Sequence, residues 1–189
     1  MIEEIENYAK ENNVPIMLKD GINFLCDYIK KNNVKSVLEI GTAIGYSSIK
    51  IALVSDDITV TTIERDKERY NLAVSNIKKF NLENRINVIF DDAFMVSLED
   101  KYDLIFIDAA KSQYIKFFEK FKYNLNANGT IISDNLDFHG LVKADVIKNR
   151  NTRQLVRKIN EYIIFLKDNK EFHTEFISLG DGIGISKRV

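Results

Sequence analysis

Two short segments bring oxygen and nitrogen groups to positions where chemistry can be done. Asp108-Ala109-Ala110-Lys111 follows the apolar run Asp103–Ile107, and Asp134-Asn135 follows Thr130–Ser133. If both runs are neighbouring parallel strands, about 4.8 Å apart, the residues just past their ends meet around one point. Asp108, Asp134 and Asn135 then supply two carboxylates and an amide oxygen. That hard donor set suits Mg²⁺ or another divalent cation and leaves positions for water or substrate. Zinc would want His or Cys, and the chain has two histidines and one cysteine. Lys111, in the first turn of the segment after Asp108, is placed to take a proton from a hydroxyl held at such a centre. The plain alternative is that Asp and Asn favour loop starts in any case. A solvated lysine, however, suits a helix N-terminus poorly, because the dipole there favours acids.

A second constellation lies nearer the N-terminus. Val37-Leu38-Glu39-Ile40-Gly41-Thr42-Ala43-Ile44-Gly45-Tyr46-Ser47 has the form strand, tight turn, helix start. Gly41 lets the chain leave the strand sharply, Gly45 permits backbone to approach a ligand, and the helix N–H groups face the strand's C-terminal edge. Glycines at a βα turn can also be purely structural. Glu64 ends the next apolar run, 23 positions after Gly41, where a carboxylate can accept both hydrogen bonds of a ribose diol. Asp91-Asp92-Ala93 closes the run after that. Three successive strands with ligand-type tips point to an adenosine-type cofactor. The spacing Gly41-x-x-x-Gly45, with Ala43 in place of a middle glycine, departs from the dinucleotide fingerprint and suits S-adenosylmethionine.

The elements that must position these residues follow from periodicity. Strands are expected at Ser36–Ile40, Ile58–Ile63, Ile86–Phe90, Asp103–Ile107, Thr130–Ser133, Phe172–Ser178 and Gly182–Ser186. Helices are expected at Glu3–Asn12, Leu18–Asn32, Ser47–Leu53, Lys67–Phe80, a short piece near Phe94–Leu98, Ser112–Leu125 and Thr152–Asp168. The βα repetition implies parallel strands. The turn Leu179-Gly180-Asp181-Gly182 implies a closing hairpin, so one of its strands runs antiparallel. No linker, repeat or low-complexity tract interrupts the chain, which reads as a single domain over residues 1–189, with helices in residues 1–34 packing on it. Hydrophobic residues make up 45% and charged residues 29%, which excludes disorder. The net charge of −1 gives no global attraction to nucleic acid or membrane. The acidic N-terminus does not resemble a signal peptide, no apolar run approaches a membrane span, and a cytoplasmic location is expected.

Taken together, Val37–Ser47, Glu64, Asp92-Ala93, Phe106–Tyr114 and Ser133-Asp134-Asn135 resemble the cation-dependent O-methyltransferases, the group of the catechol and caffeoyl-CoA enzymes and their bacterial relatives. The resemblance runs from about Val14 to Lys187. Val14-Pro15-Ile16-Met17, the Gly41–Ser47 loop, Asp134-Asn135 with Gly140-Leu141-Val142, and Gly180-Asp181-Gly182 look most like the bacterial tRNA 5-hydroxyuridine methyltransferases. The resemblance implies an α/β, Rossmann-like class I methyltransferase fold with a seven-stranded, mostly parallel sheet, assembled as a homodimer. It implies cofactor contacts from Met17, Gly41, Thr42, Gly45, Ser47, Glu64, Asp92, Ala93 and Asp108, metal ligation by Asp108, Asp134 and Asn135, and a catalytic role for Lys111. Leu136-Asp137-Phe138-His139 is more polar than that subgroup suggests, and reads as a surface loop or as a substrate contact.

The acceptor must carry two neighbouring oxygens, a geometry met by catechols and by O4 and O5 of 5-hydroxyuridine. From Lys143 to Lys158 six cations, Lys143, Lys148, Arg150, Arg153, Arg157 and Lys158, face Asp145 alone, a local balance of +5. Such a strip after the metal-site loop can rest on a tRNA backbone, with Lys143, Lys148, Arg150 and Arg153 as substrate contacts; it can equally be a solvated helix face. tRNA is the expected partner, a small catechol or phenylpropanoid acceptor the alternative. A non-catalytic RNA-binding module is a third reading, disfavoured because such a module needs no metal site.

Overall fold

A computed structural model of the chain describes residues 1–137, 140, 142 and 149–189. Seven strands form one sheet: β1 (Ser36–Ile40), β2 (Thr59–Glu64), β3 (Ile86–Phe90), β4 (Tyr102–Ile107), β5 (Leu125–Ser133), β6 (Phe172–Ile177) and β7 (Ile183–Arg188). The spatial order is β3-β2-β1-β4-β5-β7-β6. β1 to β5 pair in parallel, and β7 runs antiparallel to both its neighbours, β5 and β6. This is the Rossmann-like sheet with a closing hairpin that the sequence led us to expect. The helices are α1 (Ile2–Glu11), α2 (Lys19–Lys31), α3 (Tyr46–Ala52), α4 (Lys67–Lys79), α5 (Tyr114–Phe121) and α6 (Arg150–Asp168).

Strand alternation divides the apolar residues between two cores. Val37, Leu104, Phe106 and Ile132 face α1, α2 and α3, with Ile5, Ile22, Leu25, Ile29 and Ile49 opposite them. Leu38, Ile40, Ile105, Ile107 and Ile131 face α5 and α6. There Phe118 meets Tyr162, Phe165 and Phe172 edge-on, with centroids 5.0 to 6.4 Å apart. Each fully buried large side chain contributes about 1.5–3 kcal/mol of transfer free energy. Both faces of β1 and β4 are therefore filled, and their C-terminal tips open on a cavity. Helices α1 and α2 belong to the first core and carry the segment Pro15–Leu18 to the cavity's rim.

The differences from expectation have local causes. The segment Phe94–Leu98 is not helical. The Phe94 N–H donates to Asp92 Oδ1 (2.9 Å) and the Met95 N–H to the Asp92 carbonyl (2.8 Å), giving one tight turn. The helix expected from Ser112 starts as a 3₁₀ turn, Lys111–Gln113, before α5. α6 starts at Arg150, earlier than Thr152, because the Asn149 side chain accepts from the Asn151 and Thr152 N–H groups. β5 starts at Leu125 rather than Thr130, paired with Tyr102 across an irregularity. Among the described residues no helix is long and apolar enough to cross a membrane.

Candidate active site

The cavity at the strand tips has a volume of about 440 Å³. At the end of β1, Gly41 takes φ +104°, and a Cβ there would lie 2.3 Å from the Asp108 carbonyl oxygen. The sharp turn thus needs glycine both for its backbone and for the contact with the end of β4. The Gly41 and Thr42 N–H groups donate to the Ile63 carbonyl, tying the loop to the tip of β2. Glu64 completes the tie. Its carboxylate accepts from the Ala43 and Asp66 N–H groups at 2.9 Å each, holding Ala43 at φ +47°. Each Glu64 oxygen keeps a second lone pair, so a ribose diol can still be accepted.

Beneath this loop Glu39 is fully buried and accepts from the Ser47 and Ser48 hydroxyls and, at 2.6 Å, from Thr62. Burial pushes the Glu39 carboxyl up to about 7, against those three hydrogen bonds, which lower it. Thr42 turns its hydroxyl to Thr62 at 2.6 Å. Met17, Gly41, Thr42, Ser47, Glu64, Asp92, Ala93 and Asp108, expected from the sequence as cofactor contacts, all line the cavity. Gly45 does not appear in that lining. It is the residue before α3, at φ +84°, and a Cβ there would meet Ala73 of α4 at 3.4 Å. That contact is ordinary packing, so what calls for glycine here is the left-handed backbone.

One part of the wall is aromatic. Phe94 and Phe117 stack with centroids 4.8 Å apart and planes at 15°, and both line the cavity together with Gln113, Ala93, Asp92, Arg65 and Arg69. Asp92 has a partner at each oxygen: Oδ1 accepts from the Phe94 N–H, and Oδ2 pairs with Arg65 at 3.5 Å.

The acidic end is built by the strand tips of β4 and β5. The Asp108 N–H donates to the Ile40 carbonyl (3.1 Å) and the Asp134 N–H to the Ile107 carbonyl (3.2 Å), which sets both aspartates at neighbouring strand ends. Asp134 is 2% exposed and its Oδ1 has no hydrogen-bond partner among the described residues. Burial raises the Asp108 carboxyl; Lys111 opposes that rise and Asp181 adds to it. Burial likewise raises Asp134, with the charge of Asp108 next in weight. Asn135 takes φ +63°, a conformation asparagine tolerates. Its Nδ2 donates to Asp134 Oδ2 (3.2 Å) and Asp181 Oδ2 (3.3 Å), so its amide oxygen is the group that would serve as a ligand. Among the described residues no group of three or more His, Cys, Asp and Glu side chains is arranged to hold a metal ion. The donor set expected here is of another kind, with two carboxylates and an amide. An orphaned carboxylate oxygen between raised carboxyls fits a divalent cation.

The structure thus brings Asp108, Lys111 and Asn135 into one cavity wall, with Asp134 buried and in contact with Asn135. Arg150 and Arg153 are exposed at the start of α6 and do not line the cavity. Lys143, Lys148 and His139 lie outside the described residues. Sequence reasoning placed Asp181 in a turn and gave it no role, yet it is 4% exposed at the cavity wall. Gln113 was passed over as well. The signal for Asp181 was its place between two glycines in the closing hairpin; for Gln113 it was proximity to Lys111.

All of residues 1–189 match the model of a family described as O-methyltransferase. A caffeoyl-CoA O-methyltransferase of Stellaria longipes is 32% identical over 171 residues, covering 82% of this chain and 68% of that protein. The caffeoyl-CoA O-methyltransferase of Populus kitakamiensis is 29% identical over 197 residues, covering 97% and 82%. Among solved structures, a Staphylococcus aureus chain provisionally described as a caffeoyl-CoA O-methyltransferase superposes with a TM-score of 0.95. It is 40% identical, over 100% of this chain and 92% of that one. An O-methyltransferase of Bacillus cereus, in complex with S-adenosylhomocysteine, superposes with a TM-score of 0.84 at 24% identity, over 100% and 90%.

Proposed function

The chain belongs to the O-methyltransferase family and is an S-adenosylmethionine-dependent enzyme, and we propose on that premise that methyl transfer takes place at the Asp108–Lys111–Asp134–Asn135 end of the cavity. The observation that carries this reading is the pair of aspartates set at neighbouring strand tips, one buried with an orphaned oxygen, in one cavity end with Lys111 and Asn135. Such a group calls for a divalent cation, and Asp108, Asp134 and Asn135 would hold it. The cation would supply charge neutralisation and a fixed angle for two neighbouring acceptor oxygens.

The chain's own residues do the rest. The Gly41–Ser47 loop and Glu64 fix the cofactor, so that its sulfonium methyl is one reactant held in place. Lys111 takes the acceptor hydroxyl's proton. The oxygen then forms a bond to the methyl carbon as the carbon–sulfur bond breaks, leaving S-adenosylhomocysteine. Most of the acceleration comes from positioning.

For the acceptor we assign 5-hydroxyuridine in a tRNA anticodon loop, giving 5-methoxyuridine. An unpaired loop base reaches a cavity with little unstacking. Support comes from the cations at the start of α6, which follow directly on the Asn135 loop in the chain. The support is reduced by Glu161, which pairs with Arg157 (3.4 Å) and Lys158 (2.7 Å). A small catechol or phenylpropanoid acceptor is the second reading, favoured by the substrates that the plant relatives' names print.

Nucleoside mass spectrometry decides between them. The protein is incubated with S-adenosylmethionine, Mg²⁺ and tRNA containing 5-hydroxyuridine, with and without EDTA. EDTA-sensitive 5-methoxyuridine is the expected result. Methylation of a catechol but not of tRNA, in the same buffer, would replace the tRNA assignment with the second reading.

A further inference from the structure

We infer that Gln113 reads the 6-amino group of the cofactor's adenine, its side-chain amide pairing with that edge of the base. The inference rests on the cofactor reading above and adds a specificity residue to it.

Gln113 Oε1 is buried and has no hydrogen-bond partner among the described residues. Gln113 itself lines the cavity. Leaving a buried amide oxygen unpaired costs free energy, so a ligand that supplies a donor there is favoured. The surroundings say which kind of ligand. Phe117 follows one helical turn later and lines the same cavity, and Phe94 stacks on it at 4.8 Å. A wall of two parallel rings takes a flat heterocycle.

The neighbouring carboxylates already have partners. Asp92 accepts from the Phe94 N–H and pairs with Arg65, and Asp91 Oδ1 accepts from the Asp92 N–H at 2.7 Å. Of the cavity-lining side chains beside the rings, Arg65 and Arg69 can only donate and the carboxylates of Asp91 and Asp92 only accept, whereas the Gln113 amide carries both a donor and an acceptor. Adenine presents a donor beside a ring acceptor, and a glutamine amide matches that pair with its own oxygen and nitrogen.

The test is a cycle of residue against ligand, read by calorimetric titration without turnover. S-adenosylhomocysteine and its 6-deamino analogue, purine in place of adenine, are titrated into the wild-type protein, Gln113→Leu and Gln113→Asn. The wild type is expected to prefer S-adenosylhomocysteine by about tenfold. In Gln113→Leu that preference falls to about twofold or less, while affinity for the deamino analogue stays near the wild-type value. Gln113→Asn, which keeps the amide but withdraws it by one methylene, decides on the same criterion if the leucine variant does not fold. Equal weakening of both ligands, with the preference kept, would overturn the assignment and leave the cofactor reading standing. No binding of S-adenosylhomocysteine to the wild type would overturn the cofactor reading itself.

Discussion

Glu39 and Lys111 show how single side chains set the behaviour of this site. Glu39 is enclosed beneath the cofactor loop, its carboxyl pushed up to about 7 by burial. A carboxyl raised on folding contributes stability that is fully present below its unfolded value, near 4.5, and is lost as pH rises through about 7. The wild type should therefore lose on the order of 2–3 kcal/mol of stability between about pH 5 and 8. Glu39→Gln, which cannot ionise, should flatten that part of the curve in thermal melts across the same range. An unchanged slope in the variant would show that Glu39 does not titrate as described. On the proposed mechanism Lys111 acts on the acceptor rather than on the fold. Replacing it with Met removes the proton acceptor and should lower kcat by about 100-fold or more. S-adenosylhomocysteine affinity should stay within about threefold of the wild type, since the proposed cofactor contacts are the Gly41–Ser47 loop and Glu64 rather than Lys111.

At the scale of elements, the β6–β7 hairpin turn does more than close the sheet. The Leu136 and Asp137 N–H groups donate to the Gly182 and Asp181 carbonyls at 2.9 and 2.7 Å. The turn therefore braces the Asp134–Asp137 loop and brings Asp181 to Asn135. A Cβ on Gly182 would lie 2.6 Å from the Asp137 nitrogen. Gly182→Ala should cost about 1–3 kcal/mol and lower turnover, with the cofactor's own contacts untouched. Wild-type turnover in that variant would mean the brace does not position the loop. This turn also shows where sequence reasoning stops. Asp108 and Asp134 were legible because each follows an apolar run, and parallel neighbours put such tips together. Asp181 was not, because its approach depends on β7 pairing antiparallel with β5, which no local pattern around it reveals. The β4 and β5 tips carried enough information to place four residues of the site. Phe94–Leu98 misled for the opposite reason, since its apolar spacing is helical while the Asp92 side chain captures the Phe94 N–H and turns the chain.

For the molecule as a whole, near-neutral charge makes local clustering the only electrostatic guide to a partner. From Lys143 to Glu161 six cations face two acids, a net of +4. If this face carries tRNA, affinity should fall steeply with salt, and Arg150→Ala and Arg153→Ala should each reduce the slope of log K against log[salt] by about 1. A salt-independent affinity would remove the RNA face from the account and favour a small acceptor. A homodimer is proposed from the family resemblance, and sedimentation measures it directly. If the tips of β4 and β5 form a divalent-cation centre, the protein alone binds Mn²⁺, and loss of the free-ion electron paramagnetic resonance signal measures that binding without any acceptor. One site is expected in the wild type, with affinity weakened about tenfold or more in Asp134→Ala and Asn135→Ala, while S-adenosylhomocysteine binding persists in both. Equal Mn²⁺ binding by the wild type and both variants would contradict it.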